Sequence, residues 1–350
     1  ATIETYEREA QTYRDRRPLA HAARARDFAA RCLPGLPAVD LGCGPGGYLP
    51  YLPAPAVAFD ATWAMLRLAR SAAPSAALLR GDLEALPFGD GSLGGAWARH
   101  SYLHLARDLV PMACARLHRA LALHAPLMIS VSRGEGEGPW PGDDIPGRFF
   151  CCWQPEQLRD VLTGAGFEVS SVEVEGDSLY VRATRSRTLA DTVGRGMRLL
   201  LCGLNPSLVA ADAGFAFAGA TNRFWPAALE AGAVSRVRAP FDALVRDGVG
   251  MTDLVKRATA RSSGIEASEY RNGAERLRRL VSWLGPRAVC FVGLEGWRAA
   301  IDHSARPGWQ PEGFAGSPAY VMPSTSGANA ATSRAELVAH LREVLRVAGG

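Results

Sequence analysis

The chain has 350 residues, more than one hydrophobic core of about 150 residues accommodates, so two domains are expected. Hydrophobic residues at 48% and charged residues at 21% exclude a mainly disordered chain, and 37 Gly with 23 Pro are too few for a collagenous or low-complexity one. The net charge of +4 conceals an asymmetry: residues 195–350 hold 19 basic against 13 acidic residues, a modest pointer to a phosphate-bearing partner. Lys256 is the only lysine among the 39 basic residues.

No window approaches about 18 uninterrupted apolar residues, so no membrane span is expected. The polar N-terminus lacks the apolar stretch of a secretory signal, and a first residue other than Met suggests upstream trimming. Seven scattered cysteines (Cys32, Cys43, Cys114, Cys151, Cys152, Cys202 and Cys290) form no C-x-x-C pair. Reduced thiols in a cytoplasmic protein, without a zinc or iron–sulfur site, are the expectation.

In chain order, short apolar runs alternate with amphipathic segments, the pattern of an α/β sheet protein. PAVDL and AVAFD read as strands, MLRLAR as the opening of a helix, and APLMISVS as a later strand. A helix is predicted from Pro155, stopped by Gly164 and Gly166. The strand pair FEVSSVEVEG and SLYVRAT then closes a sheet. Arg185 to Gly196 is polar and aperiodic, which predicts a linker. MRLLLCGLNP begins a second α/β pattern, with AVCFVG and AYVMPS as further strands and RAELVAHLREVLRVAG as a closing helix. The expected organisation is a first domain over 1–185, a linker over 186–196 and a second domain over 197–350.

VDLGCGPGG follows the first strand, and Gly42, Gly44 and Gly46 would let the backbone turn tightly and approach a ligand. Asp60 ends the next strand, where an acidic side chain can hold ribose hydroxyls. Alone, such a loop reads equally well as a structural turn. With DATWAML, GDLEALPF and GAGFEV following in order, residues 1–185 resemble class I S-adenosylmethionine-dependent methyltransferases acting on small molecules and quinones. The resemblance implies a Rossmann-like sheet, with Asp40, Gly42 and Gly44 along the methionine part of S-adenosylmethionine and Gly46 in the same loop. It also implies Asp60 on the ribose, and Asp82 with Leu83 beside the adenine. A dinucleotide site fits less well, because such chains usually lack the GDLEALPF element. His100 and His104 are candidate bases at the pocket mouth; their plain reading is as ordinary loop or helix histidines. No N/D-P-P-Y/W or Pro-Cys motif is present, which disfavours methylation of nucleic-acid bases. HRALALHAPLM lacks the glycines this family commonly carries before the fifth strand, so that loop is expected to be altered.

GLNPSLVAADAGFAFAGATNRFW, Gly203 to Trp225, follows a buried strand, so Asn205 would stand at its C-terminal edge. Phe215 and Phe217 are expected to alternate across an extended segment before a helix begins near Asn222. A strand, loop and helix with buried aromatics is the plain reading of this stretch alone. Together with GVGMTDLVKR and VMPSTSGANA, it makes residues 197–345 resemble the mismatch-specific uracil-DNA and thymine-DNA glycosylases. The fold implied is an α/β sandwich with a central sheet.

By that resemblance Asn205 is catalytic and positions the attacking water. Leu204, Phe217 and Asn222 bind the flipped base, with Phe217 stacking on it. The loop Ser324, Thr325, Ser326, Gly327, Ala328 and Asn329 grips the DNA strand. Relatives often carry leucine or arginine where this chain has Ala328, and Asn329 is the candidate substitute for that wedge. Arg223, Arg257, Arg261, Arg271, Arg276, Arg278 and Arg279 would form a phosphate-tracking face, or simply solvated helix charges. Expected partners are double-stranded DNA carrying uracil or thymine opposite guanine, and an unknown methyl acceptor; the glycosylase needs no metal or cofactor. Two other readings stay open. One is a small-molecule or RNA methyltransferase whose C-terminal half only binds nucleic acid; the other is a glycosylase regulated by a non-catalytic S-adenosylmethionine-binding domain.

Overall fold

The computed structural model describes residues 1–349 and divides the chain into two compact units, one of 1–163 with 167–186, the other of 164–166 with 187 onward. Each is an α/β structure with its own sheet.

The first unit opens with α1 (Thr2–Arg16) and α2 (Ala22–Ala29), followed by β1 (Ala38–Leu41), β2 (Ala56–Asp60), α3 (Trp63–Ala72), β3 (Ala77–Arg80), β4 (Gly95–Arg99) and α4 (Val110–Ala120). Next come β5 (Pro126–Arg133), β6 (Glu137–Pro139), β7 (Phe149–Trp153), α5 (Pro155–Gly164), β8 (Phe167–Glu175) and β9 (Ser178–Arg185). The sheet runs β3-β2-β1-β4-β5-β7-β6, and an antiparallel β8–β9 hairpin joins it through β9 on β5. The strands β3-β2-β1-β4-β5 are parallel, and chain order reverses at β1, which has β2 on one side and β4 on the other. A crevice outside the C-terminal ends of the strands at such a reversal is where open α/β sheets take ligands. This is a Rossmann-like arrangement. α3 forms because the Thr62 hydroxyl caps its N-terminus, accepting from the Met65 N–H at 3.4 Å, and because Met65, Leu66 and Ala69 bury one face. In the glycine-poor turn before β5, His124 itself takes the left-handed conformation, with φ of 67°.

The second unit contains β10 (Leu199–Gly203), α6 (Leu208–Ala213), α7 (Phe224–Ala231), α8 (Pro240–Asp247), β11 (Val249–Asp253), α9 (Ala267–Leu284) and β12 (Val289–Val292). It ends with α10 (Leu294–Ala300), β13 (Gly308–Phe314), β14 (Ser317–Met322) and α11 (Arg334–Ala348). Its sheet runs β11-β10-β12-β14-β13, parallel except for β13. β10 shows why its run is apolar at every position: Leu199 and Leu201 enter the core with α7 and α11, while Leu200 and Cys202 enter the core with α9.

The segment 186–196 departs from its reading as a linker. Thr188, Leu189, Asp191, Thr192 and Val193 are buried, and Thr192 exchanges both backbone hydrogen bonds with Met251 at 2.9 Å. Its polarity is satisfied inside the fold: Thr188 donates to the Lys256 carbonyl and Asp191 pairs with Lys256 and Arg276. Phe217 likewise is not extended; it lies in a turn with φ of 59°. Among the described residues, no helix is long and apolar enough to cross a membrane.

Candidate functional sites

The first unit encloses a cavity of about 530 Å³ where its chain order reverses. Gly42, Gly44, Asp60, Asp82 and Leu83 line it, together with Thr62, Met65, Gly81, His100 and Ser101. One wall is α1, through Thr2, Ile3, Glu4, Tyr6 and Tyr13. Asp60 is held rigidly: one oxygen accepts from the Gly44 N–H at 3.0 Å, the other from the N–H and hydroxyl of Thr62, each at 2.9 Å. Asp82 accepts from the Glu84 N–H at 2.9 Å, fixing the turn that carries Leu83.

Two expected ligand contacts lie elsewhere. Asp40 is within β1, only 2% exposed, and does not line the cavity. Its Oδ2 is buried with no hydrogen-bond partner; burial first, then the nearby Asp60 charge, pushes its pKa up to about 8. Gly46 is also outside the lining. A Cβ there would come within 2.7 Å of the Ala69 backbone, so this glycine lets the loop pack against α3.

His100 and His104 do line the cavity, but as neutral rings. Burial, then the Arg99 charge, pushes His100 down to about 3, and burial pushes His104 down to about 4. His104 is fully engaged, with one nitrogen 2.8 Å from the Tyr6 hydroxyl and the other 2.6 Å from the Phe149 carbonyl oxygen. His104 is therefore a strut under α1. Arg148, whose guanidinium donates to the same tyrosine hydroxyl at 3.1 Å, braces it further.

The second unit has a cavity of about 570 Å³ at the C-terminal ends of β10, β11 and β12. Every residue expected at the second site lines it: Leu204, Asn205, Phe217, Asn222, and Ser324, Thr325, Ser326, Gly327, Ala328 and Asn329. The Asn205 amide nitrogen donates to the Thr259 hydroxyl at 2.8 Å, the Arg257 carbonyl at 3.0 Å and the Pro206 carbonyl at 3.2 Å. Three acceptors around one NH2 group fix the amide's orientation and leave Oδ1 to accept from a water. The Phe217 ring stacks on buried Phe224 at 4.1 Å between centroids, and Trp225 Nε1 donates to the Ala216 carbonyl at 2.8 Å, bracing the turn. Asn222 Oδ1 accepts from the Phe224 N–H at 3.0 Å, at the start of α7.

The site also contains a carboxylate that the motif reading quoted inside GVGMTDLVKR without singling out. Asp253 ends β11, is 6% exposed and lines the cavity. Among the described residues its carboxylate oxygens accept no hydrogen bond, and burial pushes its pKa up to about 6. A Cβ at Gly203 would stand 2.4 Å from Asp253 Oδ1, so a larger residue there would displace the carboxylate. Behind Asp253 is a buried charge cluster. Asp191 Oδ1 accepts from Lys256 Nζ and the Thr252 hydroxyl, and Oδ2 from Arg276, each at 2.7 Å; Arg276 also donates to the Asp253 carbonyl at 2.9 Å. Although burial opposes it, Arg276 and Lys256 hold the Asp191 carboxyl below its usual value.

The arginine face is thereby corrected. Arg276 is buried in this cluster, and Arg257 pairs with Glu269 at 2.7 Å. Arg223 donates to the Ser326, Asn329 and Thr332 carbonyls, so it staples the 324–329 loop. Arg261, Arg271 and Arg279 are exposed. Arg276, committed inside the fold, and Arg223, committed to the loop carbonyls, are not placed to follow a phosphate backbone, whereas the Arg257 pair lies at the surface.

Residues 191–347 match the sequence model of the uracil DNA glycosylase superfamily, and residues 39–128 match that of a methyltransferase domain. The chain therefore carries a uracil DNA glycosylase superfamily domain and a methyltransferase domain. Among solved structures, it is similar to an S-adenosylmethionine-dependent methyltransferase from Mesorhizobium loti, at 20% identity over 47% of this chain and 96% of that one, with a TM-score of 0.41. It is similar to a TehB-like methyltransferase from Corynebacterium glutamicum, at 22% identity over 52% and 98% of the two chains, TM-score 0.40. A third is the 1,6-didemethyltoxoflavin-N1-methyltransferase of Burkholderia thailandensis, at 18% identity over 53% and 85%, TM-score 0.42.

Proposed function

We propose that the second unit is a monofunctional DNA glycosylase that hydrolyses the N-glycosidic bond of uracil, or thymine, opposite guanine in base-excision repair. The observation that carries this reading is the meeting of Asn205, Asp253, Phe217 and the 324–329 loop around one cavity. The target base must leave the stack to reach such a site. Phe217, braced by Phe224, offers a ring face for it. Asn205 Oδ1 orients a water toward the sugar C1′, and ionised Asp253 takes the proton as the water oxygen bonds to that carbon. The C1′–N bond breaks and its electron pair leaves with the base, whose charge the backbone N–H groups of Leu204 and Phe217 would hold. An abasic site and free base result. The test is base release from a duplex with one G·U pair: Asn205→Ala should fold normally yet lose about 100-fold or more in rate. An unchanged rate sinks the assignment.

For the first unit we propose S-adenosylmethionine binding and methyl transfer to an acceptor not yet identified. The cavity suits a cationic cofactor: Glu4, Asp60, Asp82 and Glu84 outnumber the cations that line it, Arg99 and the Ala1 amino group, and both histidines are neutral. Asp60 would hold the ribose, Gly42 and Gly44 the methionine part, and Asp82 with Leu83 the adenine; the bound sulfonium supplies the reactive methyl group. Calorimetry with S-adenosylmethionine tests this, with binding expected for the wild type and weakened at least about tenfold in Asp60→Ala. No heat of binding from the folded protein removes both the enzyme and the cofactor-sensor readings.

A further inference from the structure

Resting on the methyltransferase reading above, one wall of the first unit's cavity bears on what the methyl acceptor is. Arg99 ends β4, His100 and Ser101 follow it, and all three line the cavity. The other lining cation, the Ala1 amino group, has a Glu4 oxygen 3.5 Å away. Arg99 has no such partner. Among the described residues it makes neither a hydrogen bond nor an ion pair, and its guanidinium rests over the Tyr48 ring, 5.3 Å from the centroid. Arg99 Nε, His100 Nε2 and Ser101 Oγ are all buried without a hydrogen-bond partner, a state that few buried polar atoms keep. His100 also takes the left-handed conformation, with φ of 52°, its N–H held by the Ser130 carbonyl at 3.0 Å. Such backbone is costly for a residue other than glycine and gathers at binding sites.

The donors set the sign of the group this wall takes. A guanidinium and a hydroxyl donate, and a neutral imidazole has one N–H to offer. After burial, the strongest influences on the His100 ring are Arg99, His104, His21 and Arg17, with no carboxylate among them. A zwitterion would bring its ammonium into these positive surroundings along with its carboxylate; a simple carboxylic acid does not.

The same cavity is poor in bases. A hydroxyl acceptor must give up a proton, whereas a carboxylate oxygen attacks as it stands. The His100 and His104 rings, pushed down to about 3 and about 4, take up protons too weakly at neutral pH, and both Asp60 oxygens are occupied by hydrogen bonds. Tyr6 and Tyr13 of α1 line the cavity with ring surface suited to an aromatic ligand.

We infer that the first unit methylates a small aromatic carboxylic acid on its carboxylate, which pairs with Arg99 and accepts from the Ser101 hydroxyl and the His100 ring. One carboxylate oxygen takes the methyl group of the bound sulfonium, and the C–S bond breaks with its electron pair left on sulfur. A methyl ester and S-adenosylhomocysteine result, with no proton to remove.

The test uses the full chain with benzoate as the probe and benzamide as its uncharged counterpart. In calorimetry on protein saturated with S-adenosylhomocysteine, benzoate should bind at least about tenfold more tightly than benzamide. Arg99→Gln should weaken benzoate by about tenfold, and Arg99→Lys by less. With S-adenosylmethionine labelled in its methyl group, the wild type should place label on benzoate in a form that mild alkali releases as methanol, the mark of a methyl ester. Benzoate binding no better than benzamide overturns the inference, as do an unchanged affinity in Arg99→Gln, binding without transfer, and label that alkali does not release. If Arg99→Gln weakens S-adenosylhomocysteine but not 5′-methylthioadenosine, which lacks the amino-acid part, the wall serves the cofactor's own carboxylate and the inference falls. In all these cases binding of S-adenosylmethionine by the wild type leaves the methyltransferase reading intact. No binding of S-adenosylmethionine overturns the inference together with that reading.

Discussion

Asp40 in the first unit and Asp253 in the second are both almost fully buried carboxyl groups on sheet strands, yet their surroundings differ in kind. Asp40 Oδ2 has no hydrogen-bond partner, and its neighbour Asp60 adds like charge; its pKa of about 8 keeps it mostly protonated at neutral pH. Asp253 stands before a cluster in which Lys256 and Arg276 outnumber Asp191, so burial raises it only to about 6 and it is mostly ionised at neutral pH. Burial alone does not decide protonation; the sign of the buried neighbours does. A neutral acid behind the first cavity is structural, whereas an ionised one lining the second is available as a base.

Among these buried charged groups, the largest effect is expected at Asp253. Asp253→Asn should lower base release about 100-fold at pH 8. In the wild type the rate should rise as pH increases through about 6, where the carboxyl loses its proton, and the variant should lose that rise. A variant retaining both rate and profile would show that Asp253 takes no proton. A smaller effect belongs to Lys256. Removing its charge with Lys256→Met leaves Asp253 with less counter-charge, so the midpoint should move to higher pH by about one unit, and Lys256→Arg should restore it. A midpoint that stays put would reduce Lys256 to packing.

The smallest effect concerns stability. Asp40 has a folded pKa above its unfolded value, so its contribution is greatest below about pH 4 and is lost as pH rises through about 8. Asp40→Asn removes that dependence. Its gain in melting temperature over wild type should grow from pH 5 to pH 9, reaching several degrees. Parallel melting curves across that range would mean that Asp40 is not protonated in the fold.

Much of this was legible before any coordinates. LLLCG reads as a strand buried on both faces because each residue is apolar, and its alternate side chains do enter two different cores. The glycine loop after β1 and Asn205 after β10 are local signals, since the end of a strand and the start of a loop adjoin in the chain. Other features had no local signal. α1 reads as a polar, mixed-charge tail, and only its packing makes it a wall of the first cavity. Thr188, Asp191 and Thr192 read as linker polarity because their partners, Lys256, Arg276 and Met251, come from distant parts of the chain. Arg276 counted as surface charge for the same reason.

The amino-acid sequence by itself determined two α/β sheets, their order in the chain and the residue types at the ends of their strands, because periodicity and turn chemistry act over a few neighbouring residues. Only the tertiary structure decided which of those groups are ionised and which arginines are committed. Charge interactions and close packing act through space, and residues such as Asp191 and Arg276 meet across 85 positions of chain that no local pattern connects.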